Sequence, residues 1–311
     1  MTVRIGYMPG AFPSGPEGVA YFRGLVEVGD EYGYDSIWLS DRVVGQSAGP
    51  EPVVAMSMVA ACSERMKFGT SVLQLPLRNP VVLAKELATL DYLSGGRCLP
   101  AIGLGQDDPR DYEACGVVKS NRGERADEAM QVMRRLWNED NVTHEGKFFA
   151  LHDVTVNPKP VQEPIPLWIG GRTVAAQKRV GRLGDGWLVS SATPEEVAEG
   201  VNMVFATAGE FDRTVDEEHI GVLIGYHISP DPDAAAEAAA PYVTRARPEA
   251  PFTGYSALGT PQHISHMIDR YLEAGATKFV MRPMCPPGEA LQQLRLFGEE
   301  VLPRYHRPKQ G

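Results

Sequence analysis

Short runs of β-branched and aliphatic residues alternate along the chain with longer segments in which apolar residues recur every three or four positions. The first pattern is that of a strand buried on both faces, and the second that of a helix with one apolar stripe. Strands are predicted at 3–7, 36–40, 67–73, 98–104, 165–169, 186–190, 220–228 and 278–281. Helices are predicted at 19–32, 51–63, 80–93, 122–137, 173–183, 194–209, 231–247, 261–274 and 288–302. The punctuation agrees: Pro80 opens one helix and Ser94-Gly95-Gly96 closes it, the usual asymmetry of helix ends. Eight strands alternating with helices point to an α/β protein, specifically a (β/α)8 TIM barrel with insertion segments. A doubly wound open sheet is the competitor, but no G-x-G-x-x-G opens the first helix. A single domain over 1–311 is expected. The polar, Pro-punctuated stretch around 106–166 reads as an excursion from the barrel that carries a small hairpin.

Composition narrows the classes. The chain has 40 acidic against 30 basic side chains, a formal charge of −10, which argues against nucleic-acid and anionic-membrane partners. Cys62, Cys98, Cys115 and Cys285 are scattered, without a C-x-x-C pair, and Cys62 and Cys98 stand among apolar residues. Buried free thiols and a reducing compartment are the expectation. The N-terminus enters a strand pattern at once and no run of 18 apolar residues occurs, so neither a signal peptide nor a membrane span is expected. A cytoplasmic location follows as the default.

In a barrel the chemistry gathers where the strands end. Those positions hold Asp41-Arg42, Thr70-Ser71-Val72, Gly103-Leu104-Gly105-Gln106-Asp107, Gly170-Gly171-Arg172, Ser190-Ser191 and Arg282. A carboxylate at Asp41 can orient a ring N–H or a substrate hydroxyl, or act as acid or base; it can equally be a capping or salt-bridged residue. Gly170 and Gly171 precede a helix, so free N–H groups there suit a phosphate, with Ser190, Ser191, Arg172 and Arg282 as further donors. An ordinary turn would look the same. Gly103 to Gly105 lacks the third glycine of a dinucleotide fingerprint and suits close approach of backbone to a flat ligand. No metal ligand set is visible: His144, His152 and His219 are dispersed, and His263 with His266 lacks a third partner. G-x-S-x-G, Walker A and H-E-x-x-H are all absent. An anion site without a nucleophile or metal fits an enzyme whose cofactor carries the reactive atoms.

The stretch TSVLQLPLRNPVVLAKELATLDYLSGGR (70–97) resembles a signature of luciferase-like monooxygenases and reductases. SIWLSD (36–41), NRGERADEAMQVMRRLW (121–137), IGG…VGRLGDGWLVS (169–190) and GTPQHISHMIDRYLEAGATKFVMRP (259–283) resemble further blocks of the same family, in the same order. The resemblance implies a flavin or deazaflavin ring over the third strand, around Thr70, Ser71 and Val72, with a cis non-proline peptide at Ser71-Val72. It implies Asp41 near the pyrimidine end of the ring, and Gly170, Gly171 and the Ser190 region at the phosphate. The chain departs from some F420-dependent dehydrogenases of the family. Arg42 stands where they have histidine, free to meet an anionic cofactor or substrate. Gln106 stands where they have glutamate, leaving Asp107 beside it as the proton donor. Two mechanisms follow from the resemblance. One is F420-dependent hydride transfer to or from a small organic substrate. The other is a two-component monooxygenase that takes reduced FMN from a separate reductase. The wording of strand three is nearer the F420 branch. A flavin-binding paralogue without turnover is the non-enzymatic alternative. The resemblance also implies a homodimer through the early helices. The loops at 9–18, 42–50, 106–120 and 140–160 are expected to set the substrate.

Overall fold

The computed structural model describes residues 2–45, 49–105, 107–243 and 247–305. Gln106 lies outside the described residues. The chain runs through β1 (Arg4–Tyr7), α1 (Glu17–Glu31), β2 (Ser36–Leu39), α2 (Pro52–Cys62), β3 (Lys67–Thr70), β4 (Leu73–Gln74), α3 (Pro80–Ser94), β5 (Cys98–Leu99) and β6 (Ala101–Gly103). There follow α4 (Pro109–Ala114), α5 (Arg122–Asn138), β7 (Val142–Glu145), β8 (Ala150–Val154), β9 (Trp168–Gly170), α6 (Val174–Leu183) and β10 (Gly186–Ser190). The chain closes with α7 (Pro194–Glu210), β11 (Ile220–Ile228), α8 (Pro232–Ala239), β12 (Ser256–Gly259), α9 (Pro261–Glu273), β13 (Lys278–Pro283) and α10 (Pro287–Glu300). This is an α/β fold of alternating strands and helices. It divides into two compact units, one of Met1–Trp38 with Gly170–Gly311, the other Leu39–Ile169.

In the first unit all strand pairing is parallel. β1 lies beside β13 with Arg4 opposite Lys278 and Tyr7 opposite Met281, and Tyr7 also faces Ile37 of β2. β11 is the long central strand. One edge takes β13, from Gly221 opposite Lys278 to Tyr226 opposite Pro283. The other edge is shared: β10 pairs over Ile220 to Leu223, then β12 over Gly225 to Ile228. The strand interiors are apolar, and Tyr7, Tyr34, Tyr226, Phe279 and Phe297 are fully buried. Their hydroxyls are tied where partners exist, Tyr7 to the Leu25 carbonyl at 2.6 Å and Tyr34 to the Leu294 carbonyl at 2.7 Å. Gln293 of α10 closes the end of β11, accepting from Ile228 N–H at 2.8 Å and donating to its carbonyl at 3.1 Å.

In the second unit β3 pairs with β5, β4 with β6, and β6 with β9, all parallel. The stretch between β6 and β9 carries α4, α5 and the antiparallel hairpin β7–β8. The tip of that hairpin is pinned to α5: Glu128 accepts from Phe149 N–H at 2.8 Å and Phe148 N–H at 3.0 Å, with His144 Nε2 at 3.3 Å. Arg97 ties the end of α2 to β3 by donating to the carbonyls of Ala60, Ser63 and Met66.

Several expectations need correction. Eight uninterrupted strands become thirteen short ones among the described residues. The third expected strand is broken into β3 and β4 at Ser71-Val72, whose peptide is cis. The fourth is broken at Pro100, which has no N–H to give a ladder. β12 was not expected, and α8 stops at Ala239, just before Pro241. Cys62 is exposed rather than buried, whereas Cys98 and Cys285 are buried, and all four thiols are free. Among the described residues no helix is long and apolar enough to cross a membrane.

Candidate functional site

In the Leu39–Ile169 unit the expected ring-binding residues surround the break between β3 and β4. Asp41, with its side chain 2% exposed, holds the turn from below. Its Oδ2 accepts from Gln74 N–H at 2.8 Å, and its Oδ1 accepts from Arg78 Nη2 at 3.0 Å. Its own backbone carbonyl accepts from Gln74 Nε2 at 3.0 Å. Arg78 is shared with Glu51 at 2.8 Å. Asp41 is thus a clamp on the segment that follows the cis peptide, and both oxygens are engaged by protein.

Thr70 is fully buried, and its hydroxyl both donates to the Ala101 carbonyl at 2.6 Å and accepts from Ala101 N–H at 3.0 Å. It replaces a rung of the ladder where the strands break, so the hydroxyl serves the fold. Ser71 N–H donates to the Leu39 carbonyl at 2.7 Å. The Val72 side chain packs where a Cβ on Gly103 would stand. Gly105 has φ +86°, and a Cβ there would meet Gln74 Oε1 at 2.6 Å and Tyr112 Oη at 3.0 Å. These glycines therefore admit neighbouring side chains of the same unit. With its Nε2 committed to Asp41, Gln74 turns its Oε1 toward Gly105, and that buried atom has no hydrogen-bond partner among the described residues.

Arg42 donates through Nε to the Val44 carbonyl at 2.7 Å and reaches Asp108 at 3.4 Å. Asp107 projects outward, 81% exposed, paired with Lys119 at 2.9 Å and Arg122 at 3.5 Å. The Lys119 ammonium holds its carboxyl below the usual range, so it stands as a carboxylate near neutral pH. Arg110 holds Asp108 at about 2 in the same way.

In the other unit the loop after β9 has the conformation the glycines permit. Gly171 has φ +128°, its carbonyl accepts from Trp187 Nε1 at 2.7 Å, and Thr173 caps α6 by accepting from Ala176 N–H at 3.3 Å. Ser190 is exposed, and Ser191 adopts φ +52°. The Ser191 carbonyl accepts from Arg247 Nη1 at 2.6 Å. Arg172 reaches the same cluster through Glu249 at 3.1 Å. Arg282 is occupied separately, donating to the Tyr242 carbonyl at 3.0 Å, and burial lowers its pKa.

Arg247, Glu249 and Glu196 were not singled out from the sequence. They line a cavity of about 470 Å³ together with Arg172, Trp187 and Met203. Glu196 alone had a local signal, the Thr193-Pro-Glu-Glu capping box. Arg247 raises no local signal, because the groups that fix it, Glu196 and the Ser191 carbonyl, lie 51 and 56 residues away in sequence. Among the described residues no group of three or more His, Cys, Asp or Glu is placed to hold a metal ion.

Comparison with known proteins gives the family. A curated relative, the F420-dependent glucose-6-phosphate dehydrogenase of Kineococcus radiotolerans, is 34% identical over 232 residues, 69% of this chain and 67% of its own length. Among solved structures, a monooxygenase from Streptomyces bottropensis superposes with a TM-score of 0.83 at 24% identity, covering 97% of this chain and 100% of that one. An F420-dependent secondary alcohol dehydrogenase, solved with an F420–acetone adduct, gives 0.82 at 22% identity, covering 99% and 100%. At those identities the two structures speak for the fold alone. The model of the family described as luciferase-like monooxygenase matches residues 3–294, and the chain belongs to that family.

Proposed function

We propose that this protein transfers hydride between F420 and a small organic substrate. The chain is an oxidoreductase of the luciferase-like family that uses a flavin or deazaflavin cofactor. The observation that carries the F420 assignment is the 34% identity to an F420-dependent dehydrogenase over 69% of the chain. The eight-fold (β/α) plan, the chain as one domain and the stretch 106–166 as its excursion belong to the same reading, supported by one family model across 3–294.

The residues fit a ring with N–H groups. Gln74 Oε1 is a buried acceptor beside the backbone of Gly105 that a ring N–H would satisfy. In this reading Asp41 fixes Gln74 and thereby Ser71 and Val72, while Thr70 and Gly103 hold the two broken strands in register. The loop of Gly170, Gly171 and Arg172, with Ser190 and Ser191, receives the anionic part of the cofactor, and Arg282 supplies charge on β13. When bound, the deazaflavin supplies the hydride-accepting carbon. Arg42 orients an anionic group of cofactor or substrate, and Asp107, held as a carboxylate by Lys119, is an acceptor rather than the proton donor expected from the sequence. Gln106 has the amide chemistry of a positioning residue.

The second reading, a monooxygenase using reduced FMN from a separate reductase, has its support in the family model, described as luciferase-like monooxygenase, that matches residues 3–294. Oxidation of reduced F420 by a carbonyl or activated-alkene panel under strict anaerobiosis separates the two. Turnover without oxygen supports hydride transfer, and turnover only with reduced FMN and oxygen supports the alternative. A bound cofactor with no turnover in either arm supports a non-catalytic paralogue.

We also propose a homodimer through α2. This helix is apolar all round, PVVAMSMVAAC, yet leaves Val54 66% and Met58 39% exposed. A helix of that composition belongs in an interior or an interface.

A further inference from the structure

We propose that Arg172 and Arg247 form a binding site for an organic monoanion, a carboxylate or phosphodiester, and that the chain's own Glu249 fills it until the ligand arrives. The inference deepens the assignment of the loop after β9 to an anionic group and rests on that assignment.

The geometry is that of an anion clamp with a resident carboxylate. The Arg247 side chain is only 3% exposed. Its Nη1 and Nη2 donate to the two oxygens of Glu196 at 2.8 and 2.6 Å, and Nη1 also donates to the Ser191 carbonyl at 2.6 Å. The guanidinium is therefore fixed, and its Nε donates to Glu249 Oε1 at 3.0 Å. Arg172 Nη1 donates to that same oxygen at 3.1 Å. One oxygen thus receives a charged donor from each arginine, as an oxygen of a bound carboxylate or phosphodiester would. Glu249 is 56% exposed, so the carboxylate can leave while the buried guanidinium stays.

Room and charge define the ligand class. The adjoining cavity of about 470 Å³ is within the range of small-molecule sites, and Trp187, Val189 and Met203 give it an apolar wall. With Glu249 withdrawn, two guanidiniums face one directly bonded carboxylate, Glu196, an excess of one positive charge among the groups in contact. A monoanion balances it. A dianionic phosphate monoester exceeds it by one, and Glu199 on the same wall adds repulsion.

Calorimetric titration of the full chain with benzoate, dimethyl phosphate and neutral benzamide tests this, comparing the parent with Glu249→Gln and Glu249→Ala. Both variants should bind benzoate or dimethyl phosphate about tenfold more tightly than the parent, because the two ion pairs of Glu249 no longer compete. The anion that gains more identifies the preferred source. Benzamide should gain nothing, and adding Arg172→Gln to Glu249→Gln should erase the gain. Equal anion affinities in parent and variants, or an equal gain for benzamide, would overturn the proposal. F420 titrated in parallel separates the two readings. A benzoate gain without F420 binding removes the cofactor assignment and keeps the clamp; F420 binding without a benzoate gain does the reverse.

Discussion

Replacing Asp41 by asparagine tests whether this residue acts as a clamp on the β3–β4 break or only as a ligand contact. The substitution is nearly isosteric, so an asparagine oxygen can still accept from Gln74 N–H, which lies at 2.8 Å in the parent. The other atom becomes an NH2 facing Arg78 Nη2, now 3.0 Å from a carboxylate oxygen. A hydrogen bond to a charged group contributes about 1.5–3 kcal/mol, and the loss is moderated because Arg78 keeps Glu51 at 2.8 Å. The expected destabilisation is about 2–3 kcal/mol, since the Asp41 side chain is 2% exposed and Arg78 only 18%. For a chain of 311 residues that corresponds to a fall in Tm of about 3–5 °C. Thermal and urea unfolding of Asp41→Asn, Arg78→Met and the double variant supply the assay. The double variant should lose less than the sum of the two by about 1 kcal/mol or more, because both remove one interaction. Additive losses, or an Asp41→Asn protein that unfolds at the parental Tm, would refute the clamp and leave Asp41 as a ligand contact alone.

Thr70→Val removes both bonds to Ala101 and strands two buried backbone groups, so unfolding should cost about 2–4 kcal/mol less, while Thr70→Ser stays near the parent. Burial opposes ionisation of Glu128, yet the N–H groups of Phe149 and Phe148 with the His144 ring hold its pKa below the ordinary carboxylate value. The pin it makes is therefore complete above the unfolded-state pKa, about 4.3, and is lost as pH falls through the lower folded value. Hydrogen exchange at 146–149 between about pH 3 and 6 should show protection falling at the acid end in the parent and absent throughout in Glu128→Ala; pH-independent protection would refute it. Val54→Lys on the apolar face of α2 should convert a dimer to monomers by light scattering with an unchanged circular-dichroism spectrum. An unchanged mass would move the interface elsewhere.

Where one segment carries its own hydrophobic period, the sequence was legible. β10 and β11 fall at the expected residues, because their interiors are continuous apolar runs. The Pro and Gly at the ends of α3 are also where they were expected, with Gly95 in the left-handed region at φ +68°. β12 escaped notice because Ser-Ala-Leu-Gly has no strand-like composition and is a strand only by pairing with the far half of β11. α8 was drawn too long because alanine-rich sequence continues the helical period up to Pro241, and the short helix α4 lay in a polar loop. The candidate positions were legible in the same uneven way. Asp41, Thr70 and the Gly170–Gly171 loop stand at strand ends and could be named from position alone. What they bond to could not, since Ala101 lies 31 residues from Thr70 and Gln74 lies 33 from Asp41. The cis peptide at Ser71-Val72 was anticipated only through the family resemblance, as no local residue preference signals it.

The central claim, that the chain is a deazaflavin-dependent oxidoreductase, is met most directly by equilibrium titration of the purified chain with F420 and FMN, each oxidised and reduced. Saturable binding of F420, tighter than that of either form of FMN, is the predicted result. Gln74→Met, which removes the orphaned acceptor near Gly105, should weaken it. Binding of reduced FMN in preference to F420 would contradict the hydride-transfer account in favour of oxygenation, and binding of neither would contradict the cofactor assignment itself.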